Sequence, residues 1–163
     1  MSTCARGVAA RFDPAAIGLP VTRALYAYWA GKRRAGGLPC RRDIDPTEIP
    51  RLLSNVMLLD VEEKPLRFRF RLVGNNVVSW FGCNATGLYT DSAEYRRGGP
   101  DPSGDYREVV EAREPRVYRK RLDYLLPEFR DFERLVLPLA DGGRIDRLIC
   151  AVDVVPFDSR LSA

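Results

Sequence analysis

The order of apolar and polar residues predicts two adjacent strands near the middle of the chain. Positions 56–61 form a nearly continuous apolar run, so Val56 to Val61 is predicted to be a strand that is covered on both faces. From Leu66 to Leu72, apolar residues alternate with arginines, which predicts a second strand with one apolar and one cationic face. The charged residues between the two segments predict a tight turn. We therefore expect a β-hairpin here.

An amphipathic helix is predicted near the N-terminus. From Val21, apolar residues recur at helical spacing as far as a Lys-Arg-Arg end, and Gly36 with Gly37 stops the pattern, which predicts a helix within 21–36. Residues 1–20 are small and polar and are interpreted as a flexible tail. One apolar face must be buried, either on the chain's own sheet or against a second copy.

Further helical segments surround and follow the hairpin. Asp45 can cap a short helix that has Pro46 in its first turn and ends near Leu53. The segment 75–81 reads as one helical turn, and residues 83–100 as an irregular, lid-like loop. Asp101 and Pro102 repeat the capping pattern before a helix that stops near Pro115.

Three more strands complete the predicted fold. They are expected at 116–126, 132–139 and 144–155, with a tight turn at 141–143. Together with the hairpin they predict an α+β domain: a five-stranded antiparallel sheet with helices on one face, plus an extra N-terminal helix. The single domain is predicted to span 21–155, followed by a short tail, 156–163.

Several segments resemble one protein family, in the family's order. They span about Val21 to Val155 and read LYAYWAGKR (25–33), RDIDPTEIPRLLSNVMLLDVE (42–62), FRFRLVG (68–74), TG (86–87) and LVLPLADGG (135–143). The chain resembles a family of small bacterial PAS-domain proteins, common in alphaproteobacteria. The resemblance implies a PAS-like fold and a signalling role.

Composition places the chain among globular proteins. It has 163 residues, of which 45% are hydrophobic and 29% are charged. No apolar run approaches the roughly 18–20 residues that span a bilayer, and the first twenty residues lack a signal peptide's apolar core. We expect a cytoplasmic protein without a membrane partner. Four scattered cysteines and the absence of histidine signal neither a metal site nor a disulfide framework.

The net charge of +4 raises the question of nucleic acid, because clustered Lys and Arg release counterions from phosphates. The cations cluster at the end of the first helix and along 116–121. Cations belong at helix C-termini, and on a strand they protect a sheet edge. With no nucleic-acid-binding motif beside them, a nucleic-acid partner is not expected.

Catalytic and cofactor chemistry is limited by residue type. Without histidine there is no Ser-His-Asp or Cys-His nucleophile pair and no haem held by an axial His. Cys83 lies in Gly-Cys-Asn, the reverse of the asparagine-cysteine-arginine order of flavin photoreceptors, and is interpreted as a loop thiol. We expect a colourless protein with neither haem nor flavin. No residue is assigned as catalytic.

Aromatic residues suggest a small-molecule pocket between helices and sheet, although such a stripe is most often core. The candidate lining residues are Phe68, Phe70, Arg71, Trp80, Phe81, Tyr89, Tyr106, Tyr124, Leu135 and Leu137. Arg71 has an alternative interpretation as the ion-pair partner of Asp43.

Two function classes remain. The first is a non-enzymatic sensory or regulatory module that acts on an unidentified signalling protein, because no output domain fits after Val155, with a small ligand between sheet and helices as an option. A homodimer is expected through Leu25, Tyr28 and Trp29 of the first helix. The alternative is a small isomerase- or hydrolase-like enzyme, which needs a carboxylate or Tyr with a shifted pKa in the same cavity.

Overall fold

The computed structural model describes residues 11–97, 99–121 and 129–156. Within these ranges, four α-helices and five β-strands follow one another. The helices are α1 (Pro20–Gly31), α2 (Asn75–Phe81), α3 (Ala93–Arg96) and α4 (Ser103–Ala112). The strands are β1 (Val56–Glu62), β2 (Arg67–Val73), β3 (Arg116–Arg121), β4 (Phe129–Asp141) and β5 (Arg144–Pro156).

The strands form one sheet in the order β2-β1-β5-β4-β3. Every neighbouring pair is antiparallel, and the long β4–β5 hairpin forms the most extensive pairing. The last strand along the chain, β5, therefore lies at the centre, between β1 and β4, as its apolar sequence predicts. The predicted α+β fold with a five-stranded antiparallel sheet is confirmed.

Apolar side chains cover both faces of this sheet. On the face that we call inner, Phe68, Phe70 and Val136 pack with residues of α2 and α4 such as Val77 and Tyr106. The opposite, outer face carries a second cluster, which includes residues of α1 and of β4 and β5. Helices α2 to α4 thus share one face, as predicted, and the extra N-terminal helix covers the other.

Helix α1 buries its apolar stripe within the chain itself. Leu25 and Trp29 have no exposed surface, and the Trp29 indole N–H donates to the Pro138 carbonyl at 3.0 Å. Tyr28 is half-buried and its hydroxyl bonds Glu48. The expectation that Leu25 and Trp29 form an exposed dimer surface is therefore wrong. Amphipathic spacing shows that a helix face is buried, but not against what.

Packing also begins before the predicted domain boundary at Val21. Ile17 is 2% exposed and belongs to the outer-face cluster, and Phe12 packs against the same cluster. The interpretation of residues 1–20 as a flexible tail is therefore wrong for positions 11–20. Residues 1–10 and 157–163 lie outside the described ranges.

The segment before β1 contains two short 3₁₀ turns, Pro46–Glu48 and Leu53–Asn55, instead of the predicted short helix. The cap itself is confirmed, because the Asp45 carboxylate accepts from the Thr47 N–H at 2.9 Å. A single turn is all that fits before the chain reverses into β1.

Gly74 ends β2 and leads into α2 at a point of close backbone approach. Its N–H donates to the Val56 carbonyl at 2.8 Å. A Cβ at this position would lie 2.4 Å from the carbonyl oxygens of Leu53 and Ser54. Both neighbours are main-chain atoms, so the fit requires glycine.

A β-bulge changes the side-chain pattern of β2. Leu59 pairs with Phe70 but Leu58 pairs with Leu72, so Arg71 is the extra residue. The bulge moves Leu72 off the face of Phe68 and Phe70, and Leu72 is 47% exposed. The predicted strict alternation through Leu72 is wrong for this reason.

The loop that follows α2 is more ordered than its sequence predicts. Residues 87–90 run along the edge of the sheet beside β2. There Gly87 N donates to Phe70 O at 2.7 Å and Thr90 N donates to Phe68 O at 3.0 Å. Helix α3 then begins at a Ser92 cap.

Among the described residues, no helix is long and apolar enough to cross a membrane.

Candidate functional site

A cleft of about 760 Å³ opens on the inner face, between the helices and the end of the sheet formed by β3 and β4. Its walls come from the C-terminal end of α2, the segment from α3 to the start of α4, and four residues of β3 and β4. The last group is Lys120, Arg121, Phe132 and Arg134. Clefts of about 300–1,000 Å³ are the usual size for small-molecule sites.

Arg134 is the most unusual residue of the cleft wall. It is 6% exposed although it carries a permanent charge, and its side chain forms an ion pair with Asp105 at the start of α4. The guanidinium also stacks on the Tyr106 ring, 4.8 Å from its centroid. Burial acts to lower the pKa of Arg134, but the Coulombic effects of Tyr106 and Asp105 raise it overall. The residue therefore stays cationic.

The Nε atom of Arg134 is buried and has no hydrogen-bond partner among the described residues. Arg134 is the only cation of the described chain in that situation. A buried donor without a partner costs about 1–3 kcal/mol, more when the group is charged. Within the described residues, this Nε therefore lowers the stability of the fold and remains able to donate a hydrogen bond.

Tyr106 provides a second unpartnered polar group. The residue is fully buried, and its hydroxyl has no hydrogen-bond partner within the described ranges. Burial raises the pKa of this phenol well above its ordinary value, so it keeps its proton and can donate. Tyr106 and Arg134 both line a small inner cavity of about 20 Å³ that also touches Phe70 and Val77.

Aromatic contacts join the helices to the sheet around the cleft. Phe81 of α2 meets Phe132 of β4 edge to face, with centroids 5.3 Å apart. Tyr95 of α3 lies 4.7 Å from Phe70, and Tyr106 lies 5.5 Å from Phe68. These pairs fix the distance between helices and sheet, because aromatic rings pack in a small set of geometries.

The residue next to Arg134 faces the opposite, outer side of the sheet. Glu133 is 1% exposed, and its carboxylate accepts from Gly18 N at 3.0 Å and Leu19 N at 3.1 Å, and also from the Thr22 hydroxyl. Arg119 of β3 completes the site with an ion pair at 2.9 Å. We call this set the Glu133 clamp. Burial acts to raise the pKa of Glu133, but the hydrogen bonds from Thr22, Gly18 and Leu19 lower it overall.

Of the predicted lining residues, four border a cavity: Phe70, Trp80, Phe81 and Tyr106. Phe68 lies on the same inner face, in the core beside Tyr106. Their sequence pattern therefore places them correctly with respect to the sheet. Tyr124 lies outside the described residues.

Leu135 and Leu137 belong to the outer face, so their assignment to the pocket is wrong. Residues of β4 that face inward have the opposite parity, namely Phe132, Arg134 and Val136. Both faces of β4 are buried, so its apolar run carries no alternation that would tell them apart.

Arg71 and Tyr89 also lie away from the cleft. The bulged Arg71 is exposed and pairs with Asp60 at 3.6 Å, whereas Asp43 pairs with Arg34, so both earlier interpretations of Arg71 are wrong. Tyr89 pairs with β2 at the edge of the sheet, and the Arg67 guanidinium carbon lies 3.7 Å from the centroid of its ring. It fixes the edge segment and does not line the cleft.

Arg134 and Asp105 were missed by sequence reasoning. The available signal is the adjacent pair Glu133 and Arg134 within the predicted strand 132–139, whose other residues are apolar. Charges in a strand that is buried on both faces need partners on both faces, and here they have them.

Two cysteines lie on the inner side of the sheet, Cys150 in the core and Cys83 at the cleft. Burial raises the pKa of Cys150 to about 12, which keeps it protonated at neutral pH. Cys83 borders the cleft as a free thiol at the end of α2. No group of three His, Cys, Asp or Glu residues within the described ranges is arranged to hold a metal ion.

With this geometry established, the chain can be placed among known proteins. The family described as a PAS domain matches residues 18–92, from the turn before α1 to the cap of α3. The chain therefore has a PAS-like fold, and its N-terminal part contains the segment that matches the PAS-domain family. Helix α1 lies inside the matched segment, so it is part of the PAS-like unit. A comparison with curated proteins gives no match.

One solved structure supports the PAS-like fold, and two more distant matches are found beside it. The PAS-like chain is similar to the PAS domain of BvgS from Bordetella pertussis, with 21% identity and a TM-score of 0.50, over 72% of this chain and 92% of that one. An RNA-binding light-oxygen-voltage receptor matches with 15% identity and a TM-score of 0.46, over 85% of this chain and 36% of its own. A LOV protein of Rhodobacter sphaeroides matches with 12% identity and a TM-score of 0.44, over 72% of each chain. The PAS fold is typical of sensory and regulatory modules.

Proposed function

We propose that the protein is a non-enzymatic sensory module that binds a small molecule in the cleft and signals its presence through α1 to a partner protein. The observation that carries this proposal is the adjacency of Glu133 and Arg134. One residue borders the cleft on the inner face, and the next holds the first turn of α1 on the outer face.

The cleft supports small-molecule binding in two ways. Its volume of about 760 Å³ is large enough for a ligand of moderate size, and aromatic side chains line it. The unpartnered donors of Arg134 and Tyr106 lie at its inner end, where a ligand would satisfy them. Few, well-placed polar groups in an otherwise apolar pocket are what orients a ligand.

Strand β4 supplies a short path from the cleft to α1. A ligand that draws Arg134 away from Asp105 must shift the β4 backbone or the start of α4, because the arginine side chain is packed on Tyr106. The neighbouring Glu133 follows that backbone and bonds the amides of Gly18 and Leu19. Ligand binding would then change the population of α1 positions.

The surface that α1 presents to a partner differs from the predicted one. With Leu25 and Trp29 buried, the exposed residues of the helix are Pro20, Arg23, Ala24, Ala27 and Gly31. A homodimer that forms through α1 would use this face of small residues and one arginine. The cations of β3 are less available for binding a partner than their sequence suggests, because Arg116, Arg119 and Lys120 all form ion pairs within the chain.

An isomerase-like enzyme is the second candidate, and Tyr106 favours it as a buried, protonated acid with a free hydroxyl. Such chemistry also needs a base next to that hydroxyl. The carboxylate available at the cleft wall, Asp105, is held by both Arg134 and Lys120. Because that carboxylate is already engaged by two cations, the sensory proposal is stronger.

Hydrogen exchange with a dye as cleft probe tests the sensory proposal. Anilinonaphthalene sulfonate should slow amide exchange in α2 and α4 and also change exchange at Gly18 to Thr22. In the Glu133→Gln variant the first effect should persist and the second should weaken. A dye that protects the cleft but leaves Gly18 to Thr22 unaltered in the wild type would contradict the proposed path.

A further inference from the structure

We infer that the cleft is built for an organic anion with a flat apolar body, whose charged group is bound by Arg134. The inference rests on the proposed function, because it names the ligand class of the same cleft. It is carried by the geometry of one buried arginine and by the charge of the walls.

Cations outnumber carboxylates among the residues that line the cleft. Five cations and two carboxylates contribute to its described walls: Arg96, Arg97, Lys120, Arg121 and Arg134, against Asp101 and Asp105. A concave surface with walls of low dielectric concentrates the field of such an excess. An anion is therefore attracted into the cleft and a cation is repelled.

The guanidinium of Arg134 is arranged to accept one more anionic group. Its Nη2 contacts Asp105, whereas its Nε has no partner among the described residues. These two nitrogens lie on the same edge of the planar group, the edge that carboxylates and similar oxyanions bind with two parallel hydrogen bonds. A ligand anion at this edge would satisfy Nε and share Nη2 with Asp105.

Stacking holds that edge in place before a ligand arrives. The guanidinium lies 4.8 Å from the centroid of Tyr106 and 5.5 Å from that of Tyr118. An arginine fixed between rings loses little side-chain entropy on binding. The Lys120 ammonium lies 3.3 Å from Asp105, so that carboxylate keeps a second cation when the ligand shares Nη2 of Arg134.

The two cavities determine how the ligand is oriented. The inner cavity of about 20 Å³ has room for little more than one water molecule, so no ring can enter it. The larger cleft is lined by Trp80, Phe81 and Phe132 and can contain a flat apolar body. Arg134 borders both spaces. The anionic group therefore points towards the small cavity beside Arg134, and the apolar body stays in the larger cleft.

Two dyes with the same aromatic skeleton test the charge requirement. Anilinonaphthalene sulfonate is an organic anion, and phenylnaphthylamine is its neutral counterpart. Fluorescence titration should give saturable binding of the anionic dye with a Kd at least about tenfold lower than that of the neutral dye. Added salt should weaken binding of the anionic dye more than binding of the neutral one.

Charge-removing variants locate the effect. Arg134→Gln should raise the Kd of the anionic dye about tenfold and leave that of the neutral dye unaltered. Arg144→Gln removes the same charge from the β4–β5 turn region, outside the cleft lining, and should alter neither value. Lys120→Gln, at a half-exposed position, should raise the Kd of the anionic dye about threefold and provides a test that does not depend on a buried substitution.

Each outcome bears on a different statement. Equal affinities for the two dyes, or an anionic-dye Kd that neither cleft variant alters, would overturn the anion inference while the cleft remains a binding site. If neither dye binds at a saturable site, the proposed ligand-binding function fails as well. Near-ultraviolet circular dichroism of each variant verifies that its core is native, since partly unfolded proteins also bind such dyes.

Discussion

Glu133 and Arg134 are consecutive residues of β4, and their side chains leave the sheet on opposite faces. Glu133 binds the first turn of α1, and Arg134 borders the cleft beside α4. Successive side chains of a strand always alternate in this way. What is specific here is that both are buried charges, so the strand connects two polar sites across an apolar sheet.

The Glu133 clamp makes stability depend on pH. Because hydrogen bonds lower the pKa of Glu133 in the folded state below its ordinary value of 4.5, ionised Glu133 stabilises the fold above that pH. This contribution should be lost as the pH falls through the folded-state pKa. At pH 7, Glu133→Gln should reduce the free energy of unfolding by about 1–3 kcal/mol.

Urea unfolding at a series of pH values measures this effect. The difference between wild type and Glu133→Gln should shrink in acid, where both carry a neutral side chain. Glu111→Gln, at an exposed position of α4, is the matched control and should change stability by no more than about 0.5 kcal/mol. A difference that stays constant between pH 7 and pH 3 would show that the charge of Glu133 is not what stabilises α1.

Trp29→Ala should destabilise the single chain. Its side chain is fully buried and bonds the Pro138 carbonyl, so the change leaves a cavity and an unpaired acceptor. We expect a loss of about 3–5 kcal/mol in chemical unfolding. Sedimentation measures the association state in parallel. A variant that dissociates a dimer without loss of stability would restore Trp29 to an interface.

Two glycine substitutions should have opposite signs. At Gly74 a Cβ would lie 2.4 Å from two carbonyl oxygens, so Gly74→Ala should cost about 1–3 kcal/mol or more. Gly104 lies in α4 with nothing within 4 Å of such a Cβ, so Gly104→Ala should stabilise the protein by about 0.5–1 kcal/mol. Thermal unfolding of both variants measures the contrast. Equal effects on stability would mean that the backbone near Ser54 shifts to accommodate the added Cβ.

Tyr106→Phe separates ligand recognition from stability. The hydroxyl has no partner among the described residues, so its removal should leave the free energy of unfolding unaltered or slightly raised. The affinity for the anionic dye should fall about threefold to tenfold if the phenol donates to the ligand. Unaltered dye affinity would place the bound anion at Arg134 alone.

The sequence predicts the sheet more fully than it predicts the site. The strands follow from apolar runs and turn residues, as for Val56 to Val61 in β1. The assignment of faces fails where that information is missing: both sides of β4 are apolar, so Leu135 and Leu137 cannot be separated from Val136 by pattern. At Arg71 a single bulged residue reverses the alternation.

The site depends on contacts between distant segments, which a single sequence does not show. Arg134 meets Asp105 across 29 positions, and Glu133 meets Leu19 across 114. A charge in a predicted strand is ordinarily placed on a solvated face. The available clue is the adjacent pair Glu133 and Arg134 within the predicted apolar strand 132–139. The pair indicates buried partners on both faces of the sheet, but it does not identify them.

The pairing of residues 87–90 with β2 affects how the protein behaves when it is concentrated. Main-chain groups of Phe68 and Phe70 that would otherwise face solvent are already bonded to Gly87, Leu88 and Thr90. A strand from another molecule therefore finds no template at that end of the sheet, which is the usual starting point for fibrous aggregation. The fold is thus protected against strand addition at the β2 border of the sheet.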